Sequence, residues 1–334
     1  MDRFRVLVAA IGLIAAATSP SASLELSRFE YQHPHMGTLV RITLYAPSAA
    51  AAERAADAAF ERIRALDAAL SDYRDSSELM GVSRLSGRGP VAVSADLFRV
   101  LDASVHMTRA SGGAFDITVG PLSVLWRHAR RAGEMPEPPD LAAARALVGP
   151  DTIVLDRHRR TVTLLKAGMQ LDLGGIAKGF AADEAASSLA QRGIARALIA
   201  VGGDIVATAP PPGQTGWRVA VAAIEGAPPA GFIDLRNAAV STSGDAEQFV
   251  VISGRRFSHI IDPRTGTALT GRRSVTIVAR NGTSSDALAT AVSVMGAQDG
   301  LALVESTPGA AARVSEETGG GIRSYQSSRW PAPR

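Results

Sequence analysis

The sequence predicts an α+β protein whose sheets are built largely from hairpins. Three observations carry that expectation. Alternating apolar and polar residues mark short strands, as in Leu39-Val40-Arg41-Ile42-Thr43-Leu44-Tyr45. Several such runs come in pairs around tight turns, at 153–165, 195–208 and 248–261, which points to antiparallel neighbours. Between them lie apolar residues at helical spacing, most clearly over the Ala-rich stretch 48–70. With 334 residues, 46% of them hydrophobic, the chain can bury one large core or two smaller ones.

Residues 1–23 read as a secretory signal. Arg3 and Arg5 supply the charged start, 6–17 is an apolar run shorter than the ~20 residues of a helical span, and Ser21-Ala22-Ser23 is the expected cleavage site. There is no cysteine, which excludes disulfides, thiolate metal sites, a Cys nucleophile and a lipid-accepting Cys. The expected location is periplasmic, with inner-membrane association if the signal stays uncleaved. The working domain is expected over 24–317. The Gly- and Ser-rich stretch 318–334 is expected to be a partly disordered tail. Net charge is only +3 with acids and bases interspersed, so nucleic-acid binding has little support. Lysine occurs only at Lys166 and Lys178, against a background of Arg. A Lys retained in such a chain points to a site that needs a compact ammonium, and Lys178 lies in a glycine-rich motif.

Taken in order, His33-Pro34-His35 could ligate metal from a strand, but no third ligand is near in sequence and a solvated lead-in is expected. Strand 39–45 and helix 48–70 follow. Residues 71–78 read as a polar loop in which Tyr73 either lies over a sheet edge or stacks on a planar ligand. Helix 93–111 ends at Gly112-Gly113. Ala114-Phe115-Asp116 then sits between paired glycines and the Gly120-Pro121 turn. Helices 122–131 and 141–148 flank a Pro-rich loop, and 153–155 with 161–165 forms a hairpin. Leu171-Asp172-Leu173-Gly174-Gly175 reads as a short strand and glycine turn into helix 176–192. That arrangement lets backbone N–H groups approach phosphate oxygens, with Lys178 adding a point charge. It is neither a Walker A loop nor GxGxxG, and a close-packing glycine pair is the plainer alternative.

Short strands are expected at 195–200, 205–208, 217–222, 231–235 and 238–242, then a hairpin over 248–253 and 256–261. Ser241-Thr242-Ser243-Gly244-Asp245 could cradle phosphate or adenosine, or simply reverse a strand. His259 stands at a strand end beside Asp262-Pro263, placed to be oriented as a base, although a lone His is more often structural. A strand at 274–280 precedes helices 286–296 and 299–306 and a final strand 311–314. On the first of these helices Asp286, Ala289 and Thr290 share one face, with Ser284 or Ser285 as N-cap. Hard oxygens there suit Mg2+ held with substrate phosphates; a cap cluster on a core helix is the competing explanation.

Met36-Gly37-Thr38, Ser71-Asp72-Tyr73, Ala114-Phe115-Asp116, LDLGGIAKGF at 171–180, VGGD at 201–204, STSGD at 241–245, HIIDPRTG at 259–266 and DALATA at 286–291 occur in that order. As a set they resemble the ApbE family of FAD:protein FMN transferases. The resemblance implies a T-fold-like, two-lobed α+β architecture with mixed or antiparallel sheets flanked by helices, and an FAD and Mg2+ site in the cleft between lobes. It implies Asp286 and Thr290 as metal ligands, completed by backbone carbonyls at Gly175 and Ala289. It implies FAD contacts from Met36, Tyr73, Ala114, Phe115, Asp116, Asp172, Lys178, Ile260 and Ile261. His259 would be the base and Asp286 the second catalytic residue. The FMN half of FAD would pass to a Thr or Ser hydroxyl of a partner flavoprotein, and AMP would leave. Periplasm-facing redox subunits, of an Rnf- or Nqr-type pump or the membrane flavoprotein of nitrous oxide reduction, fit as acceptors. Gly175, where relatives often carry Ala or Ser, is expected to tolerate a side chain if only its carbonyl is used. Two other activities stay open: an FAD pyrophosphatase with water as acceptor, and an FAD-binding protein without turnover.

Overall fold

The computed structural model describes residues 25–224, 230–244 and 249–331; the signal segment 1–23 lies outside the described residues. Its centre is an eight-stranded sheet in which every neighbouring pair is antiparallel. The order is β1 (Ser27–His35), β2 (Thr38–Ala46), β6 (Ala197–Val201), β7 (Asp204–Ala207), β10 (Ala238–Gly244), β14 (Arg273–Ala279), β15 (Ala311–Thr318) and β16 (Gly321–Gln326). Alternation decides the register. Val40, Ile42 and Leu44 pair with Val201, Ile199 and Ala197, so one face of β2 and β6 is continuous apolar surface.

Three helices cover that face: α1 (Ala49–Leu70), α6 (Ala177–Ala190) and α7 (Gly282–Ser306). The Ser48 hydroxyl caps α1 by accepting from Ala51 N–H. The buried stripe of α1 is Ala52, Ala55, Ala56, Ala59, Ile63, Leu66 and Leu70, and α6 answers with Ala181, Ala182, Ala185 and Leu189. Small side chains on both helices allow close approach, and the branched ones fill the ends. The opposite face of the sheet buries Ala207 and Val240 under the hairpin of β8 (Trp217–Ala220) and β9 (Phe232–Leu235).

Two smaller assemblies complete the fold. Helices α2 (Glu78–Arg84) and α3 (Ala95–Ala110) pack on a three-stranded sheet of β3 (Val91–Ala92), β4 (Ile153–Asp156) and β5 (Thr161–Leu164). Helices α4 (Gly120–Ala132) and α5 (Pro138–Arg145) share a core with β11 (Phe249–Ile252), β12 (Arg255–Ile261) and β13 (Ala268–Thr270). Trp126 fixes this unit: its ring packs on Phe257, and its Nε1–H donates to Gly266 O at 2.8 Å.

Several local expectations change. The polar lead-in is edge strand β1, because Phe29 and Tyr31 alternate onto the α1 side while the polar residues face water. Residues 171–173 form no strand; Leu171 and Leu173 are buried, and Asp172 N–H bonds to Ile117 O rather than to a ladder. Helix α7 begins four residues early, at Gly282, capped by Asn281 Oδ1 accepting from Ser284 N–H, so neither Ser284 nor Ser285 is the cap. The two helices expected at 286–306 are joined, with non-helical Gly296 (φ 84°) as the break. Within the stretch expected to be a partly disordered tail, residues 318–331 are described and 332–334 lie outside the described residues. Strand β16 pairs with β15 over six residue pairs, and Trp330, 9% exposed, packs beside Trp217. Composition misled there because a backbone ladder and one distant aromatic supply the order.

Candidate active site

Where β12 meets the ends of α1, α4 and α7, the chain leaves a cleft of about 580 Å3. Its floor is apolar: Met36, Ala114, Phe115, Leu173, Ile260 and Ile261 all line it. Met36 sits at φ 52° and Gly37 at φ 69°, the two-residue turn joining β1 to β2, and this aims the Met side chain inward. Phe115 and Ala114 are held by Ser111, whose hydroxyl accepts from Phe115 N–H at 3.0 Å. Asp116 caps the following turn by accepting from the Thr118 amide and hydroxyl, and burial raises its pKa.

Tyr73 stands at the rim, 75% exposed, with the Arg127 guanidinium 4.4 Å from its ring centre. Arg127 lies between Asp72 and Asp172. Burial, followed by the Asp172 charge, pushes Asp72 up to about 6 despite Arg127. The cations of the wall are mostly committed: Arg74 to Asp67, Arg127 to its two carboxylates, Lys178 to Asp204. Arg130 lines the same wall and makes no hydrogen bond or ion pair among the described residues. Burial lowers its pKa, with Arg127 adding to the effect. Neither Arg127 nor Arg130 stood out in the sequence; only their i, i+3 spacing with Ser123 one turn before marked a common face.

His259 lies in β12 where the register against β13 is broken between Phe257 and Ile261. Such an irregularity re-aims a side chain, and His259 lines the cleft next to Ile260 and Ile261. Gly175 and Thr290 line the same cleft. A Cβ at Gly175 would come within 2.7 Å of Thr290 Oγ1, so the two residues touch. The Thr290 hydroxyl has no hydrogen-bond partner among the described residues, although it faces the cleft. One turn earlier on α7, Asp286 is 4% exposed and accepts from Gly179 N–H at 3.0 Å. Burial first, then the charge of Asp204, pushes Asp286 up to about 7, with Lys178 opposing. An unpartnered hydroxyl and a buried carboxylate one turn apart on α7 are hard oxygen donors of the kind that suits Mg2+.

Comparison with known proteins decides what this cleft belongs to. The sequence profile of the ApbE family matches residues 36–314. The chain belongs to the ApbE family. It is 34% identical over 324 residues to the FAD:protein FMN transferase of Treponema pallidum, covering 92% of this chain and 89% of that one. It is 30% identical to one from Klebsiella pneumoniae, covering 82% and 84%. The solved flavin transferase ApbE from Vibrio cholerae superposes with a TM-score of 0.82 at 29% identity, over 91% of this chain and 98% of that one. The flavinyl transferase ApbE of Pseudomonas stutzeri, in its apo form, gives 0.81 at 28% identity, over 91% and 95%.

Of the residues that the ApbE resemblance singled out, Met36, Tyr73, Ala114, Phe115, Asp116, Asp172, Gly175, Lys178, His259, Ile260, Ile261 and Thr290 line one cleft. Asp286 lies just behind it. Ala289 does not line the cleft: its side chain is in the core, and its carbonyl accepts from Ser293 Oγ at 2.8 Å. Most amides of the glycine turn are already committed within the fold. Gly174 N–H is taken by Asp172 Oδ1, Ile176 and Ala177 N–H by Leu173 O, and Gly179 N–H by Asp286. A Cβ at 175 would meet Thr290 Oγ1 at 2.7 Å, so a side chain at this position requires Thr290 to shift. Of the 241–245 turn, Ser241 is buried against Ser285 at 2.7 Å, which pins β10 to α7, and Thr242 pairs with Thr276 of the neighbouring strand β14; Asp245 lies outside the described residues.

Proposed function

We propose that this protein is a Mg2+-dependent transferase that moves FMN from FAD to a Thr or Ser hydroxyl of a partner protein, releasing AMP. The observation that carries the reading is the convergence of His259, Thr290 and Gly175 on one apolar-floored cleft, drawn from chain positions 36 to 290. The apolar floor and Tyr73 suit a planar isoalloxazine ring, which buries well against such residues.

A Thr hydroxyl is a poor nucleophile at neutral pH and needs a base at hydrogen-bond reach. His259 would take the acceptor's proton as its oxygen bonds to the FMN phosphorus. The bridging oxygen then leaves with AMP, so one P–O bond forms and one breaks. Mg2+, held by Asp286, Thr290 and the Gly175 carbonyl, would supply neutralisation of the pyrophosphate charge. The protein's own part is positioning: the buried Asp286 is fixed by Gly179 N–H, and Phe115 and Ile260 narrow the floor on which the ring rests. Among the described residues, Arg130 is a cleft cation left available for a substrate oxyanion.

The signal sequence supports a periplasmic site of action, with a periplasm-facing redox protein as acceptor. The testing experiment weighs an acceptor domain bearing an exposed Thr after incubation with FAD and Mg2+. A gain of one FMN, abolished by EDTA, is expected. Free FMN and AMP with an unmodified acceptor would replace the reading with a pyrophosphatase, and intact FAD would leave a binding protein.

A further inference from the structure

Three charged groups from three different elements meet beneath the cleft. Lys178 comes from the first turn of α6, Asp204 from the start of β7 and Asp286 from the second turn of α7. Lys178 Nζ is 2.8 Å from Asp204 Oδ2 and 3.9 Å from Asp286 Oδ2. Asp204 is 3% exposed, and among the described residues Lys178 is the only side chain that pairs with it. Burial works against the ammonium charge, but Asp286 and Asp204 together outweigh it and raise the Lys178 pKa.

The two carboxylates compete for one ammonium, and Asp204 holds the closer contact. We propose that Asp204 is a positioning residue that holds Lys178 away from Asp286 and so leaves the Asp286 carboxylate open to a divalent cation. This rests on the Mg2+ site described above. An ammonium in full contact with Asp286 would occupy the oxygen lone pairs that a cation needs. It would also repel a dication placed beside it, with an energy that grows as the separation and local dielectric fall. A fixed second carboxylate removes that competition while keeping a positive charge near the site.

The same geometry explains why this position carries one of the two lysines in an arginine-rich chain. A guanidinium fork presents donors on two sides and would bridge Asp204 and Asp286 together, capping the carboxylate meant for the cation. A compact ammonium can be drawn to one partner and held short of the other. Burying Asp204 without such a partner would be costly, so the pair also has a structural role. The test therefore has to separate tethering from stability and from charge acting at a distance.

Cation affinity provides that separation. Mg2+ binding is measured by calorimetry and Mn2+ binding by electron paramagnetic resonance, with and without FAD, on the full chain. The variants are Asp204→Ala, Asp204→Asn, Lys178→Gln and the double variant Asp204→Ala with Lys178→Gln. Asp204→Ala is expected to weaken cation binding about tenfold or more, because the freed ammonium collapses onto Asp286. Asp204→Asn keeps one acceptor oxygen and should weaken it less. Lys178→Gln alone should shift affinity only about threefold, and in the double variant the loss should vanish, giving strong non-additivity. Near-ultraviolet circular dichroism checks folding, and the Asn variant carries the cycle if the Ala variant does not fold. Unchanged binding in both Asp204 variants overturns the proposal. So do two effects that simply add, since that is long-range charge without a tether. Wild-type protein that binds no divalent cation would instead sink the Mg2+ reading itself.

Discussion

His259 and Thr290 line one cleft, from a broken strand register and from a helix, and each depends on one local feature. His259 is aimed by the irregularity in β12. Its replacement by Ala should cut transfer about 10^2- to 10^4-fold, the usual contribution of a general base, while FAD affinity stays within a few-fold. Single-turnover transfer and flavin fluorescence titration read the two effects separately, and unchanged transfer would remove His259 from the chemistry. Thr290 depends on the missing side chain at Gly175. In Gly175→Ala the new methyl would meet Thr290 Oγ1 at 2.7 Å, and the hydroxyl would rotate away. We expect the melting temperature to hold and Mg2+ affinity to fall about tenfold, the scale of a lost ligand contact. Calorimetry decides it: undiminished affinity would mean that Thr290 is not a ligand. Both residues were legible in the sequence as motif members. The reason for Gly175 was not, because a contact 115 residues away leaves no local trace.

Helices α6 and α7 cross where neither has a side chain. A Cβ on Gly179 or on Gly282 would run into the other's carbonyl oxygen, so the backbones touch there. That crossing places Gly179 N–H on Asp286 and sets how far α7 stands from the glycine turn. Asp183 locks it: its carboxylate accepts from Gly282 N–H at 2.7 Å, Thr283 N–H at 2.8 Å and the Thr283 hydroxyl at 2.6 Å. Asp183→Ala leaves these donors without an acceptor at a buried helix start. A loss of about 1–3 kcal/mol is expected in urea unfolding, with a weaker Mg2+ response, and Asp183→Asn should retain part of both. A variant as stable as wild type would show that water replaces the carboxylate freely. Elements with a regular period were readable from sequence: α1, α3, the β4–β5 hairpin and β14 fall within a few residues of expectation. The start of α7 was not. Its cap is shared between Asn281 and a carboxylate on another helix, and the hydroxyls nearer Asp286 looked like better caps.

Across the whole molecule, α1, α3 and α6 are joined by Arg62, which binds Asp96 and Glu184, with Arg99 bridging the same two acids. The Arg62 hydrogen bonds hold Asp96 down to about 2 from an ordinary 3.8. A depressed carboxylate stabilises the fold above its unfolded pKa and stops doing so as pH falls through its folded one. Stability should therefore decline between about pH 4 and pH 2, and Arg62→Met should flatten that part of the profile. Denaturant midpoints at pH 7, 4 and 2.5 give the answer; an unchanged slope in the variant would exclude the network. At the far edge of the sheet, Trp330→Ala should cost about 3 kcal/mol, because the ring closes the core under β8 and β9. A negligible change in thermal unfolding would return 318–334 to the status of a tail. The cleft, finally, is walled by pieces of chain from Met36 to Thr290. No local opening can dismantle it and leave the rest standing, so a ligand seated there is linked to global unfolding. FAD at a hundred times its dissociation constant would add about 2.7 kcal/mol to the stability of the entire chain. The flavin supply would then govern not only how fast the protein works but how long each molecule survives proteolysis.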